Sequence, residues 1–435
     1  MFQHPLDAFR DLDRQDAASQ RRVQDLLLKE HVLRASRSRH YRQALAEAGV
    51  DPARFGGLAE LHRLPITDKA AMAGDAEAFL AVDHGQVADW CLTSATTGSQ
   101  PTALLQTQAD LARLASNEAG AFSLAGVEPG ETLLVASALD RCFMAGLAYW
   151  LGAVKLGASV VRSGAANPAQ LLDLVQKVRP RVIVGVPSLM RKAAEQARAQ
   201  SNDPAKLGVR LLIGIGESLR DAALQPLPST RLLEALWGAK ALSTYASTEM
   251  ATSFMECPCA CGAHLRPEMA IVEILDEAGR PVPEGETGEV VATPLGVEGM
   301  PLLRFRTGDL AFHVPGACAC GRASGRISPV LGRKNQMLKV KGTTLFPGSI
   351  LAALGSIEGV SGGLVEARRD PQDGCDNVTV VAGLKPGGPS VAQVQERLRA
   401  SLRINLAVRV VSPEELERLA NPPAKRKRAT LIDLR

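Results

Sequence analysis

Four stretches of this sequence carry residue types whose spacing could do chemistry. Thr93-Ser94-Ala95-Thr96-Thr97-Gly98-Ser99-Gln100-Pro101-Thr102 crowds hydroxyls around a glycine. Such a segment can offer backbone N–H groups and hydroxyl donors to a polyanion such as a triphosphate. It is not a Walker loop, because no Gly-Lys-Ser/Thr closes it; taken alone it reads equally well as an exposed Ser/Thr turn. Tyr245-Ala246-Ser247-Thr248-Glu249 follows the strand-like Ala241-Leu242-Ser243. A carboxylate beside hydroxyls at a strand end suits a Mg²⁺ that also binds phosphate oxygens, although a helix N-cap with an acid in its first turn has the same pattern. In Arg304-Phe305-Arg306-Thr307-Gly308-Asp309-Leu310, Asp309 after a glycine turn could accept hydrogen bonds from two ribose hydroxyls or form an Asp–Arg surface pair. The fourth constellation is sulfur. Cys257, Cys259 and Cys261 precede His264, and Cys318 and Cys320 follow some 50 residues later. Tetrahedral Zn²⁺ needs four such ligands, and in a reducing compartment clustered cysteines favour metal over disulfides. Buried free thiols are the alternative. Cys91, Cys142 and Cys375 read as core or surface thiols, and His62, His84 and His313 have no partner signature.

Alternating strand and helix patterns must position these residues. Residues from about Ser19 to Gly49 read as one helix, with Val23, Leu26, Leu27, Val32 and Leu33 near one face. Asp68 is placed to cap the helix that follows it. From Leu133 the pattern becomes strand, helix, strand. Leu133–Ala136, Ala158–Val161, Arg181–Val186 and Val209–Ile213 are apolar runs separated by helical stretches at Phe143–Gly157 and Pro168–Val178. Continuous β-branched runs of this kind imply a parallel sheet covered on both faces. The fold class is therefore α/β. After about Glu268, Ile271–Leu275 and Glu289–Thr293 flank a Gly/Pro loop and suggest a hairpin-rich subdomain. Strand-like Val378–Val381 and a helix at Val391–Leu402 suggest a second, smaller α+β domain. The boundary falls between Lys334 and Asn335, giving domains 1–334 and 335–435.

Composition excludes several classes. The chain has 435 residues, 46% of them hydrophobic, so a large core is available and disorder is excluded. The net charge of +4 resides entirely in residues 425–435, which include Lys425, Arg426, Lys427 and Arg428; residues 1–424 are neutral. A neutral body argues against a nucleic-acid partner, although a Lys-Arg-Lys-Arg tail is generically a solvated or nucleic-acid-binding patch. The longest uncharged apolar run, Cys142–Val154, has 13 residues, against about 20 for a membrane span. The N-terminus lacks a basic-then-apolar signal pattern. The expectation is a cytoplasmic protein with no membrane partner.

The motifs gain specificity in combination. With Leu61-His62-Arg63-Leu64-Pro65-Ile66-Thr67-Asp68-Lys69, Gly285-Glu286-Thr287-Gly288-Glu289, Leu331-Gly332-Arg333 and Lys341-Gly342-Thr343-Thr344-Leu345-Phe346-Pro347, the sequence resembles the adenylate-forming (acyl-CoA synthetase) superfamily. Within it, the resemblance is to the phenylacetate–CoA ligases. It covers residues 60 to 350 well and the remainder thinly. It implies a large N-terminal domain of mostly parallel sheets flanked by helices with a β-rich subdomain, then a small mobile α+β lid. The implied cofactors and partners are ATP, Mg²⁺, CoA, a small aromatic carboxylic acid and a structural Zn²⁺, with the oligomeric state (monomer or dimer) open.

Carried over by position, the resemblance implies that Thr93, Ser94, Thr96, Thr97 and Gly98 hold the triphosphate. Gly214, Gly216 and Glu217 would lie against adenine, with Tyr245 stacking near it and Ala246 and Ser247 beside it. Thr248 would touch the α-phosphate, Glu249 would ligate Mg²⁺, and Asp309 would bind ribose with Arg333 nearby. Asn335 stands at the hinge, and Lys341-Gly342 where the thiol approaches. The catalytic lysine falls on Lys427 without a gap and on Lys425 with a gap of two residues. The metal set becomes Cys257, His264, Cys318 and Cys320, with Cys259 or Cys261 as substitutes. Phe143, Met144, Gly146 and Tyr149 would line the acyl pocket, unless they are helix core. Two departures stand out: Ala95 replaces a glycine in a loop that also lacks its usual lysine, and Asn335-Gln336 replaces an Asp pair. The leading reading is an acid–CoA ligase for an aryl acid such as phenylacetate, benzoate or anthranilate. Loading of a carrier-protein phosphopantetheine, or a catalytically silent Zn-containing nucleotide-binding protein, are the alternatives.

Overall fold

The structure, a computed structural model, describes residues 2–93, 102–164, 166–340, 343–369, 376–421 and 428–435. Ser94, Ala95, Thr96, Thr97, Gly98, Lys341, Gly342, Cys375, Lys425 and Lys427 lie outside the described residues. Two compact units are present. The first comprises Met1–Gln225, Leu232–Thr307 and Ala311–Pro329; the second comprises Pro226–Arg231, Gly308–Leu310 and Val330–Arg435.

The first unit is built on a nine-stranded sheet. In sheet order its strands are His313–Val314, Arg326–Ile327, Ala263–His264, Thr252–Glu256, Lys240–Ser247, Leu211–Gly214, Val182–Gly185, Thr132–Ala136 and Ser159–Arg162. The last five are parallel to one another, and the antiparallel turn-back begins where Lys240–Ser247 meets Thr252–Glu256. Every residue of Val182–Gly185 and Leu211–Gly214 is buried, as expected for strands covered on both faces. One face packs Leu133, Val135, Val184, Leu211 and Ile213 against Phe122 and Tyr149, and the other packs Leu134, Ile183 and Leu212 against Met190 and Trp237. The α/β class read from the sequence is the observed one.

The helix expected over Ser19–Gly49 is two helices, Ala17–Ala35 and Arg39–Glu47. Ser36 and Ser38 turn their hydroxyls onto backbone carbonyls, and Ser38 then caps the second helix by accepting from the Tyr41 N–H at 3.2 Å. Local hydroxyl bonding thus wins over continued apolar periodicity. Asp68 caps Lys69–Gly74 as expected. Helix Gln108–Leu124 carries the buried Arg113, which donates to the carbonyls of Leu295, Ala251 and Met269 and to Thr252 Oγ1. Burial lowers the Arg113 guanidinium to about 10, and hydrogen bonds to three carbonyls satisfy its donors.

In the second unit, a sheet in the order Ala407–Val411, Asp376–Leu384, Val360–Arg369, Leu431–Asp433 packs its apolar face on helices Pro347–Gly355 and Val391–Leu402. The helix read over Val391–Leu402 is observed over those residues. Among the described residues, no helix is long and apolar enough to cross a membrane.

Candidate active site

Parallel α/β sheets leave their ligand crevice at the carboxyl ends of the strands. Two of the segments singled out in the sequence meet there. Leu211–Gly214 pairs with Lys240–Ser247 in a register that sets Gly214 opposite Ser243, so Gly214–Glu217 and Tyr245–Glu249 leave adjacent strands in the same direction. At Gly214 a β-carbon would lie 2.9 Å from Leu219 Cδ1 and 3.1 Å from Pro187 Cγ. Gly216 has φ +74°, the left-handed region that glycine adopts without strain. Glu217 turns back to helix Pro187–Ala199, accepting from the Ser188 N–H at 2.9 Å and the Ser188 hydroxyl at 2.6 Å. Its carboxylate thus fixes the loop by capping that helix. Arg220, from the same loop, pairs with the buried Glu256 at 2.8 Å and ties the loop to the sheet.

Strand Lys240–Ser247 runs on through Tyr245 before the chain reverses over Thr248–Ala251, where the Ala251 N–H donates to the Thr248 carbonyl. Glu249 sits in that reversal with 5% exposure. Ser247 Oγ donates to Glu249 Oε2 at 3.1 Å, and Lys69 Nζ lies 3.0 Å from Glu249 Oε1. Sequence spacing does not reveal Lys69 as a partner, since 180 residues separate the pair. Its position follows from the chain before it. The Thr67 N–H donates to the Arg304 carbonyl, the Arg306 N–H donates to the Thr67 carbonyl, and Tyr41 Oη lies 2.6 Å from Thr67 Oγ1. Arg304 makes a bidentate pair with Glu273 at 2.9 and 3.0 Å and also donates to the carbonyls of His62 and Leu64.

Thr93 closes the base of the hydroxyl-rich segment. Its N–H donates to the Thr102 carbonyl at 2.9 Å, and its hydroxyl accepts from the Thr102 N–H at 3.2 Å. This extends by one pair the ribbon Val87–Leu92/Ala103–Thr107. Phe143 begins helix Met144–Leu156. Met144 packs in the apolar core, Tyr149 is buried against Phe122, and a β-carbon at Gly146 would fall 2.0 Å from the Ala138 carbonyl oxygen. Gly146 therefore allows a close backbone crossing.

In the second unit, Asp309 lies opposite Arg333 across a strand pair, and Arg333 Nε stands 3.1 Å from its Oδ1. The expected glycine turn before Asp309 is instead a left-handed residue inside a strand: Gly308 has φ +75° within Phe305–Ala311. Asn335 lies in a one-turn 3-10 helix, Lys334–Gln336.

The sulfur constellation is fully gathered. The ligand atoms of Cys257, His264, Cys318 and Cys320 lie within 4.8 Å of one another. Cys257 Sγ is 3.6 Å from Cys318 Sγ, and Cys320 Sγ is 3.4 Å from His264 Nε2. Around a tetrahedral Zn²⁺, bond lengths of about 2.3 Å to sulfur and about 2.0 Å to nitrogen imply S···S edges of about 3.8 Å and S···N edges of about 3.5 Å. The donor set fits the metal. His264 Nδ1 faces Ser324 Oγ at 3.2 Å, leaving Nε2 toward the thiols. Burial, with the charges of Arg322 and Arg326, holds the imidazole neutral by lowering it to about 4. Burial pushes the Cys257 thiol up. Cys261 Sγ reaches Cys318 at 3.5 Å but also accepts from Arg326 Nη1 at 3.0 Å, and Cys259 is exposed.

The family described as AMP-binding enzyme matches residues 15–297. The chain belongs to that family. Its matched span holds the hydroxyl-rich loop, Gly214–Glu217, Tyr245–Glu249 and the first half of the Cys/His set. The phenylacetate-coenzyme A ligase of Thermus thermophilus is 35% identical over 319 residues, 72% of this chain and 70% of that protein. The phenylacetate-coenzyme A ligase of Pseudomonas putida is 31% identical, covering 71% and 69%. Among solved structures, a 2-hydroxyisobutyryl-CoA ligase in the postadenylation state is similar with a TM-score of 0.84 and 23% identity, over 98% of this chain and 92% of that one. This AMP-binding enzyme thus stands with the aryl-CoA ligases that its motifs resemble.

Proposed function

We propose that this chain is an AMP-forming acid–CoA ligase acting on a small aryl carboxylic acid. The observation that carries the reading is Glu249, a nearly buried carboxylate at the carboxyl ends of the parallel strands, beside Tyr245, Ser247 and Thr248. Its setting is a member of the AMP-binding enzyme family. The phenylacetate ligases among its relatives support an aryl acid and CoA as the substrates.

A carboxylate attacking the α-phosphate of ATP brings two anions together, so the site must supply positive charge and polar donors where charge develops. In this reading Thr93 and Ser94, Thr96, Thr97 and Gly98 receive the triphosphate, and Thr248 donates to the α-phosphate. Gly214, Gly216 and Tyr245 border the adenine, with Glu217 holding that wall through Ser188, while Ala246 and Ser247 carry the backbone past it. Asp309 accepts from the ribose hydroxyls and is oriented by Arg333. Mg²⁺ bound at Glu249 supplies charge neutralisation at the phosphates. Lys427, or Lys425 in the gapped alignment, brings a further cation to the α-phosphate. The CoA thiol, approaching past Lys341 and Gly342 after the lid beyond Asn335 has turned, then takes the acyl group: the carbonyl–sulfur bond forms, the acyl–phosphate bond breaks, and AMP and the thiol proton leave. Cys257, His264, Cys318 and Cys320 hold a structural Zn²⁺ that staples the loops between residues 257 and 320.

ATP–pyrophosphate exchange against a panel of aryl and aliphatic acids tests the reading. Exchange greatest with one of phenylacetate, benzoate and anthranilate is expected. Protein that binds ATP yet exchanges with no acid would overturn it.

A further inference from the structure

Arg435 lies 100 residues beyond the hinge residue Asn335, yet its side chain is only 12% exposed and reaches that residue's carbonyl. Within the second unit its Nη1 donates to the Met337 carbonyl at 2.7 Å and to Asp376 Oδ2 at 3.0 Å, and its Nη2 donates to the Asn335 carbonyl at 3.5 Å. The other edge of the guanidinium is taken by Asp433, with Nε to Oδ1 at 2.8 Å and Nη2 to Oδ2 at 2.6 Å. Asp376, itself 2% exposed at the side chain, accepts from the Lys339 N–H through the same Oδ2 at 2.7 Å. One buried carboxylate and one guanidinium therefore grip three consecutive alternate positions of the backbone: 335, 337 and 339.

We propose that Arg435 is a positioning residue that fixes where the hinge ends. The inference rests on the ligase reading, in which Asn335 is the pivot. A carbonyl belongs to the rigid peptide plane that follows its residue. Holding the Asn335 and Met337 carbonyls fixes the 335–336 and 337–338 planes to the sheet that carries Asp376 and Asp433. The torsions of Gln336 and Met337 lie between held planes, so they cannot share the rotation. Rotation is confined to φ and ψ of Asn335 and to residues before it. A hinge limited to one residue turns the small unit about a defined axis, whereas a hinge frayed over four residues would scatter it over many orientations. Strand Leu431–Asp433 pairs in parallel with Val360–Arg369, which holds Arg435 to the same body. The described chain from Arg428 leads through Ala429 and Thr430 into that strand, which ends beside the hinge bracket.

The test uses the full chain with Arg435→Ala and Arg435→Lys, the latter keeping a cation beside Asp376 but lacking the planar fork that reaches two carbonyls and two carboxylates at once. Hydrogen exchange at the Lys339 amide is expected to rise at least about tenfold in Arg435→Ala, with exchange at Val380 unchanged. In the same variant, acyl transfer from supplied acyl-AMP to CoA is expected to fall about tenfold while ATP–pyrophosphate exchange stays within about twofold. Arg435→Lys should lie between. Unchanged Lys339 exchange overturns the bracket whether or not the protein is a ligase. A frayed amide with both half-reactions falling in step, or neither, overturns the hinge role. Absence of exchange in the wild type with every acid would strike the ligase reading and leave the amide result standing.

Discussion

Strand Thr252–Glu256 has a different kind of chemistry at each end. Glu249 precedes it and Cys257 follows it, with the five-residue strand, about 17 Å of extended chain, between them. At the cysteine end, four donors converge from two short turns, all of ligand type, at the separations one ion requires. At the carboxylate end, Glu249 is answered by an ammonium from a helix 180 residues away and by one hydroxyl. The first arrangement is closed, its donors each committed to their neighbours. The second is open, because the lysine that answers Glu249 is 37% exposed, and in the ligase reading a metal or phosphate takes its place. A closed site contributes shape; an open one trades partners during a reaction.

That contrast is breakable by substitution. Glu249→Gln keeps volume and removes the charge, and should lower ATP–pyrophosphate exchange by about 10²–10³-fold with little change in melting temperature; a loss of folding without loss of turnover per folded molecule would reverse the assignment. Lys427→Ala should cut adenylation by a similar factor while sparing thioester formation from supplied acyl-AMP; if Lys425→Ala does this instead, the gapped alignment is the right one. Cys318→Ser should act the other way, lowering zinc content on metal analysis and destabilising the fold by about 3–5 kcal/mol, with exchange per folded molecule preserved.

The smallest effect concerns the layer between the two ends. Glu118, on helix Gln108–Leu124, is fully buried beside Asn117, which donates to it at 3.1 Å. Burial pushes its carboxyl up to about 7 from the ordinary 4.5. The native protein therefore retains a proton that the unfolded chain releases, so stability falls as pH rises from about 4.5 to about 7 and is level above. Glu118→Gln removes that loss, and should raise stability at pH 8 by on the order of 2–3 kcal/mol while leaving it unchanged near pH 4. Urea titrations at the two pH values check this; equal gains at both would refute the buried ionisation.

The sequence made the two ends of the strand unequally legible. The Cys/His cluster was readable because sulfur and imidazole at Cys-x-Cys spacing have few other uses, and each half of it is short in sequence. The parallel strands were readable because Leu133–Ala136 and Val209–Ile213 are continuous apolar runs, which only burial on both faces explains. Lys69 was not readable as the partner of Glu249, since its place depends on Thr67 adding to the backbone of Arg304 and Arg306. Nor was the backbone at Gly308, where a glycine read as a turn proves to be a left-handed step inside a continuous strand. The break at Ser36–Ser38 was lost for a third reason: two hydroxyls outcompeted a periodicity that continued on either side. Each of these misses is a contact between distant segments, a glycine backbone angle or a side-chain bond to the backbone, and none of these leaves a period in the sequence.

Arg113 has a consequence for anyone wishing to move this chemistry elsewhere. Its guanidinium binds the carbonyl of Ala251, at the end of the turn that carries Glu249, and the hydroxyl of Thr252. It also binds Leu295 and Met269. The five residues from Tyr245 to Glu249 look like a portable cassette, but the turn they form ends on a carbonyl and a hydroxyl held by a buried cation from a separate helix. A graft of those residues into another scaffold would transplant the reagents without the vice that holds them. The transferable unit is the turn together with helix Gln108–Leu124 and the carbonyls that Arg113 gathers.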